Sequence, residues 1–124
     1  MIRGLGLDLA RVSRVEEAWR RFGQRFLERC FTSAEIAACL ERPRPSQALA
    51  TRFAAKEAFA KATGLGLRGI AWTDIEVQND DLGKPGLVLN GRTRAWMAAQ
   101  GIAVCHLSLS DDGDYAAAVV VLEA

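Results

Sequence analysis

The chain has 124 residues, half of them apolar and a quarter charged, with a net charge of +1. That is the composition of one folded domain, large enough to bury about two-thirds of its unfolded surface. No apolar run approaches the roughly 20 residues that cross a bilayer. The opening MIRGLGLDLARV lacks a signal peptide's cleavage site, and a near-neutral charge disfavours nucleic acid; the expectation is a cytoplasmic protein with no membrane and no nucleic-acid partner.

Leu5, Leu7 and Leu9 alternate with Gly4, Gly6 and Asp8, a period of two that predicts a strand with the leucines on a buried face. Glycines on the other face admit a close approach to the backbone. Ser13, with Glu16 three residues on, is a candidate capping box for a helix reaching Phe22 and flanked by Arg14, Arg20 and Arg21. Thr32 and Glu35 form a second candidate box, for a helix to about residue 40. Pro43 and Pro45 then break the chain. The longest helix spans 46–63, with Gly64 as its C-cap. Beyond it the pattern predicts a strand over 70–77, a turn over 79–85, a strand over 87–89 and a helix over 91–100. Strands over 102–109 and 115–122 follow, joined by a hairpin turn over 110–114. The fold class is α+β, a single domain over residues 1–124 with an antiparallel sheet packed against helices.

Charge is unevenly spread. Residues 1–30 hold seven Lys/Arg against four Asp/Glu, and residues 75–124 hold three against seven. An arginine-rich N-terminal face fits either an acidic partner or a solvated helix surface. Cys30, Cys39 and Cys105 are odd in number and form no CxxC pair, so they are read as small buried hydrophobes rather than a disulfide framework or zinc site. Gly64, Gly66 and Gly69 match GxGxxG, but after a helix and before a strand, the reverse of the nucleotide fingerprint's context. His106, the only histidine, neighbours Cys105 on a strand. Successive strand side chains point to opposite faces, so the two form no nucleophile–base pair.

The segment RFAAKEAFAKATGLG, residues 52–66, holds the candidate chemistry. Phe53, Glu57 and Lys61 share one helix face, and Arg52 and Lys56 a neighbouring one. Taken alone, Glu57 and Lys61 are an i,i+4 ion pair contributing about 0.2–0.5 kcal/mol. The alanines around them put charge close to packed surface, where unpaired charge is rare. Asp8 adds a second carboxylate at a strand end. Two carboxylates with open positions suit Mg²⁺, which prefers oxygen ligands and keeps phosphates and waters in its shell. Lys56, Lys61, Arg52 and the glycines after Lys61 form a candidate polyphosphate cradle.

The same segment resembles the WxxKEAxxK-type core of the phosphopantetheinyl transferases, in their short acyl-carrier-protein synthase form. GLGLDLARVSRV, ERCFTSAEI, DLGKP, HLSLS and YAAAVVV extend the resemblance nearly end to end. The resemblance implies that a carrier-protein serine attacks the β-phosphate of coenzyme A, taking the phosphopantetheine arm and releasing 3′,5′-ADP. It places Asp8 and Glu57 at the family's magnesium ligands and Lys61 at the motif lysine that neutralises the pyrophosphate. Glu57 and Lys61 are thus the expected catalytic residues, and Glu57 acting through water is one option for receiving the serine proton. Arg44, Arg52, Lys61, Gly64, Gly66, Lys84, Pro85 and Ser110 are the expected contacts to coenzyme A. Arg14, Arg21 and Arg25 are expected to meet the acidic helix of an apo acyl carrier protein. By resemblance the enzyme is a homotrimer with sites between subunits, serving fatty-acid and lipid biosynthesis by default.

One position departs from the family pattern. A histidine usually follows the second serine of the last-hairpin motif; here Ser110 is followed by Asp111. An aspartate repels phosphate, so the chain either binds coenzyme A more weakly, uses another base, or turns Asp111 away. The alternative function is a degenerate module that grips a carrier protein but transfers poorly or not at all.

Overall fold

A computed structural model describes the backbone of residues 1–124 and every side chain except those of Leu67 and Arg68. The elements run β1 (Ile2–Arg11), α1 (Val12–Phe22), α2 (Gln24–Cys30), α3 (Ser33–Leu40) and α4 (Pro45–Thr63). Two 3-10 turns follow, Gly66–Gly69 and Trp72–Asp74, then β2 (Ile75–Asn79), β3 (Pro85–Leu89), α5 (Gly91–Ala99), β4 (Val104–Asp112) and β5 (Tyr115–Glu123). One antiparallel sheet has the order β1-β5-β4, and β2 and β3 form a separate pair. The first strand therefore pairs with the last, with Leu5 opposite Val121 and Asp8 opposite Ala118.

Helix α4 is the middle layer. Ala54, Ala55, Ala58, Phe59 and Ala62 pack with Val120, Leu122, Ile75 and Val77, while Leu49 and Ala50 pack with Val12, Val15 and Leu27 of the other helices and with Phe31 just after α2. A helix covered on more than one side has no single apolar stripe, which is why its sequence is not cleanly amphipathic. Pro45 sits in its first turn, where a missing N–H costs nothing. Gly64 ends it at φ 75°, a left-handed conformation that glycine adopts without strain.

The alternation in β1 predicts buried leucines, but the packing is the reverse. Leu5, Leu7 and Leu9 are 66%, 66% and 65% exposed, while Asp8 and Ala10 are buried. The glycines decide this. A Cβ on Gly4 would stand 2.1 Å from the Ala62 carbonyl oxygen, and one on Gly6 1.9 Å from that of Ala58. Helix α4 lies almost directly on the strand backbone, which only the glycine face permits.

Four other expectations are corrected. Helix α2 was not predicted; Gly23, at φ 60°, separates it from α1. Residues 70–74 are not strand, and β2 begins only at Ile75. Ser13 does not cap α1 through Glu16: Arg11 holds the N-cap position without a side-chain bond. Instead the Ser13 N–H and hydroxyl donate to the Asp114 carboxylate at 2.9 and 2.6 Å, and the Val12 N–H donates to the Asp114 carbonyl at 2.8 Å. The Thr32–Glu35 capping box of α3 is present. The last hairpin turn is tighter than predicted, only Gly113 and Asp114 lying between β4 and β5.

Candidate active site

The close seating of α4 on β1 brings Asp8, Glu57 and Lys61 together. Asp8 is 5% exposed. Its Oδ1 accepts from Lys61 Nζ at 3.1 Å, and the same ammonium donates to the Leu7 carbonyl at 3.0 Å. Lys61 thus pairs with Asp8 across the two elements, and no Glu57–Lys61 ion pair occurs among the described residues. The Asp8 Oδ2 atom is buried without a hydrogen-bond partner. Burial first, then the hydrogen bonding and repulsion of the adjoining Asp8, push the Glu57 carboxyl up to about 7; Lys61 opposes the rise. Two ionised carboxylates so placed repel one another and leave an oxygen unsatisfied. A proton on Glu57 relieves this, and so does a divalent cation held by both groups. The residues therefore fit Mg²⁺, whose remaining ligands are usually phosphate and water. Among the described residues no group of three or more His, Cys, Asp and Glu forms a closed metal cage.

A cleft of about 380 Å³ opens at the N-terminal end of α4, lined by Arg42, Arg44, Gln47, Arg52, Asn79, Gly83, Pro85, Leu109 and Asp111 among others. Arg52 is 6% exposed; its Nη1 donates to the Ala48 carbonyl at 3.2 Å while its Nε has no partner. A buried guanidinium with no carboxylate on it is poised for an anion. Asp111 lines this same cleft, which goes against the alternative that it turns away. Gln47 Nε2 donates to its Oδ1 at 2.6 Å.

A second groove, about 430 Å³, has Glu57 in its wall with Leu9, Arg14, Phe26, Phe53 and Tyr115. Arg14 and Arg21 also border a shallow furrow on α1 with Ala18 and Phe22. Arg25 stands exposed on α2, not on α1. Among the described residues Arg20 is held by Glu16 and Glu17, whereas Arg14, Arg21 and Arg25 carry no ion pair.

Other expected contacts are scattered. Lys56 is removed from the polyphosphate cradle: it is fully buried and bonds Glu35 Oε1 at 2.6 Å. Burial lowers its pKa, and Glu35 opposes that. Gly64 and Gly66 are exposed beyond the C-terminus of α4, at the opposite end from the arginine cleft. Ser110 lies between Leu109 and Asp111 on β4, so it points to the outer sheet face, away from the cleft. Lys84 is exposed on the β2–β3 hairpin beside cleft-lining Gly83 and Pro85. His106 lies on the outer face, bonded to Glu123 at 3.0 Å. Burial raises the thiols of Cys30, Cys39 and Cys105, the last to about 12. Sequence reasoning missed Gln47, Asn79 and Tyr115, whose places follow from long-range packing and have no local motif.

Residues 4–120 match the family model of the 4′-phosphopantetheinyl transferase superfamily, and the chain belongs to that superfamily. It is 50% identical, over its full length and 99% of the relative's, to a holo-acyl-carrier-protein synthase of Trichlorobacter lovleyi. It is 50% identical to that of Paramagnetospirillum magneticum, over all of this chain and 98% of that one. The structure is similar to the crystal structure of the holo-acyl-carrier-protein synthase of Neisseria meningitidis, with TM-score 0.94, 40% identity and full coverage of both chains. It is also similar to the Helicobacter pylori holo-acyl-carrier-protein synthase in complex with coenzyme A, with TM-score 0.85, 31% identity, and 96% and 99% of the two chains covered. Within the superfamily the chain is an enzyme of the holo-acyl-carrier-protein synthase group.

Proposed function

We propose that the enzyme transfers the 4′-phosphopantetheine arm of coenzyme A to a serine of an apo acyl carrier protein, with Mg²⁺ bound by Asp8 and Glu57. The observation that carries this reading is the pair of carboxylates from separate elements, one with an orphaned buried oxygen, beside a lysine ammonium. The relative solved with coenzyme A supports the substrate, and the names of the relatives support the carrier protein as acceptor.

In the reaction the serine hydroxyl gives its proton to water as its oxygen forms a bond to the β-phosphorus, the bond from that phosphorus to the bridging oxygen breaks, and 3′,5′-ADP leaves with the electron pair. Mg²⁺ supplies charge neutralisation at the pyrophosphate when bound. Asp8, held by Lys61, keeps a fixed anionic face toward it, and Glu57 completes that face once its proton is displaced. The exposed side of Lys61 stabilises charge building on the phosphate oxygens. Arg44 and Arg52, at the opposite end of α4, hold the nucleotide phosphates of coenzyme A. Arg14, Arg21 and Arg25, which carry no ion pair among the described residues, receive the acidic helix of the carrier. Arg14 lines the groove that holds Glu57, which supports the carrier's serine entering from that side. The exposed leucines of β1, beside the outer faces of Val119 and Val121, support a homotrimer in which this sheet face is covered by neighbouring copies.

The test is to incubate the enzyme with coenzyme A, Mg²⁺ and apo carrier proteins of several kinds and weigh the carriers. The expected result is a carrier heavier by the phosphopantetheine arm, lost on chelation of the metal. Asp111 in the arginine cleft favours one other reading, a carrier-binding module with little transfer. Tight carrier binding with no mass gain on any carrier would select it.

A further inference from the structure

Lys56 precedes Glu57 in sequence but faces away from it, into a region closed to water. All three of its donors are used: the Cys30 carbonyl at 2.8 Å, Glu35 Oε1 at 2.6 Å and the Trp72 carbonyl at 2.9 Å. The Phe31 ring lies 5.2 Å from the ammonium. Glu35 is as fully engaged. Its Oε1 also accepts from the Thr32 N–H at 2.9 Å, and its Oε2 accepts from the Val77 N–H at 2.9 Å. One buried ion pair thus fastens the end of α2, the start of α3, the Trp72–Asp74 turn and β2 to helix α4.

Those elements build the site. The Trp72 ring stacks on Phe53, with centroids 4.9 Å apart and planes at 17°. Phe53 lies one turn before Glu57 in the wall of the same groove. Val77, held by Glu35, is part of the wall of the arginine cleft. Well-packed apolar side chains in place of a buried ion pair are often equally stabilising, so stability alone does not account for two charges here. What apolar packing lacks is direction: five hydrogen bonds of set geometry fix the rotation of α4 about its axis and the height of β2 beside it.

We infer that Lys56 and Glu35 are positioning residues for the transfer. They hold Glu57 against Asp8 and fix that end of the site relative to the arginine cleft, through Val77 on one side and the Trp72–Phe53 stack on the other. The inference rests on the function proposed above.

The double variant Lys56→Met/Glu35→Leu removes both charges while keeping the volume filled. It is expected to melt close to the wild type. Magnesium affinity, measured by calorimetry with Mg²⁺ alone, and kcat are each expected to fall by about tenfold or more, with KM for coenzyme A moving much less, because small displacements at a reacting centre are costly. A folded double variant with wild-type magnesium affinity and kcat overturns the inference. If that variant does not fold, Glu35→Gln decides. It keeps the shape but sets an amide N–H₂ against either the Val77 N–H or the Lys56 ammonium. Weakened magnesium binding in Glu35→Gln supports the inference, and wild-type binding overturns it. Failure of the proposed function itself is separate, because it shows in the wild-type enzyme as no magnesium binding and no transfer.

Discussion

With magnesium bound at Asp8 and Glu57 as proposed, the metal and a proton compete for Glu57. In the metal-free enzyme burial and Asp8 hold the Glu57 carboxyl up at about 7, against 4.5 ordinarily, so binding below neutrality must release a proton. The apparent affinity then falls tenfold per pH unit below the folded pKa, and at about pH 5.5 it is about 30-fold below its plateau above pH 8. Calorimetry with Mg²⁺ across that range measures it, and proton release is checked by repeating the titration in buffers of different ionisation enthalpy. The same group sets a stability trend. Its folded pKa is raised, so the folded state binds the extra proton and the stabilisation is complete below about pH 4.5. It is lost as pH rises to about 7, so the metal-free melting temperature declines over that window and added magnesium restores it above. An affinity that varies by less than about twofold between pH 5.5 and 8.5 would refute the paired-carboxylate reasoning. So would Glu57→Gln binding magnesium as tightly as the wild type.

Lys61→Ala is expected to slow transfer by about a hundredfold or more; turnover near normal would leave Lys61 as only an anchor for Asp8. Gly6→Ala puts a methyl 1.9 Å from the Ala58 carbonyl oxygen, so α4 must lift from β1, costing about 3 kcal/mol or more in chemical denaturation, with loss of magnesium binding. Asp111→His removes an acceptor-only charge from the arginine cleft and is expected to tighten coenzyme A binding by about 1 kcal/mol, roughly fivefold. Unchanged or weaker affinity by calorimetry speaks against that view of the cleft. Leu7→Arg places charge in the centre of the exposed sheet face and is expected to yield monomers by light scattering; an unaltered oligomer would place the interface elsewhere.

Some of this site is visible in the sequence and some is not, for physical reasons. The spacing of Phe53, Glu57 and Lys61 reports a helix face directly, and the alternation in β1 reports a strand. Alternation says that two faces differ but not which one is buried; the leucines were misassigned because an apolar face can await another subunit as readily as a core. The glycines held the answer, since a bare backbone signals a neighbour closer than any side chain allows. Helix α2 has seven residues, too few to establish a helical period. Lys56 looked available for phosphate because its partner Glu35 lies 21 residues upstream and nothing local reports their meeting. Gln47 and Asp111 are 64 residues apart, and their bond is likewise a product of topology.

The tie between Ser13 and Asp114 spans 101 residues. It means that the helix carrying Arg14 and Arg21 has its first free N–H groups satisfied by the tip of the last hairpin, and among the described residues β1 pairs with β5 alone. In a chain still being synthesised, neither of these contacts can form until nearly all of it has been made. The long reach also makes folding depend on distant contacts, which slows it, and leaves the apolar strand β1 waiting longest for cover.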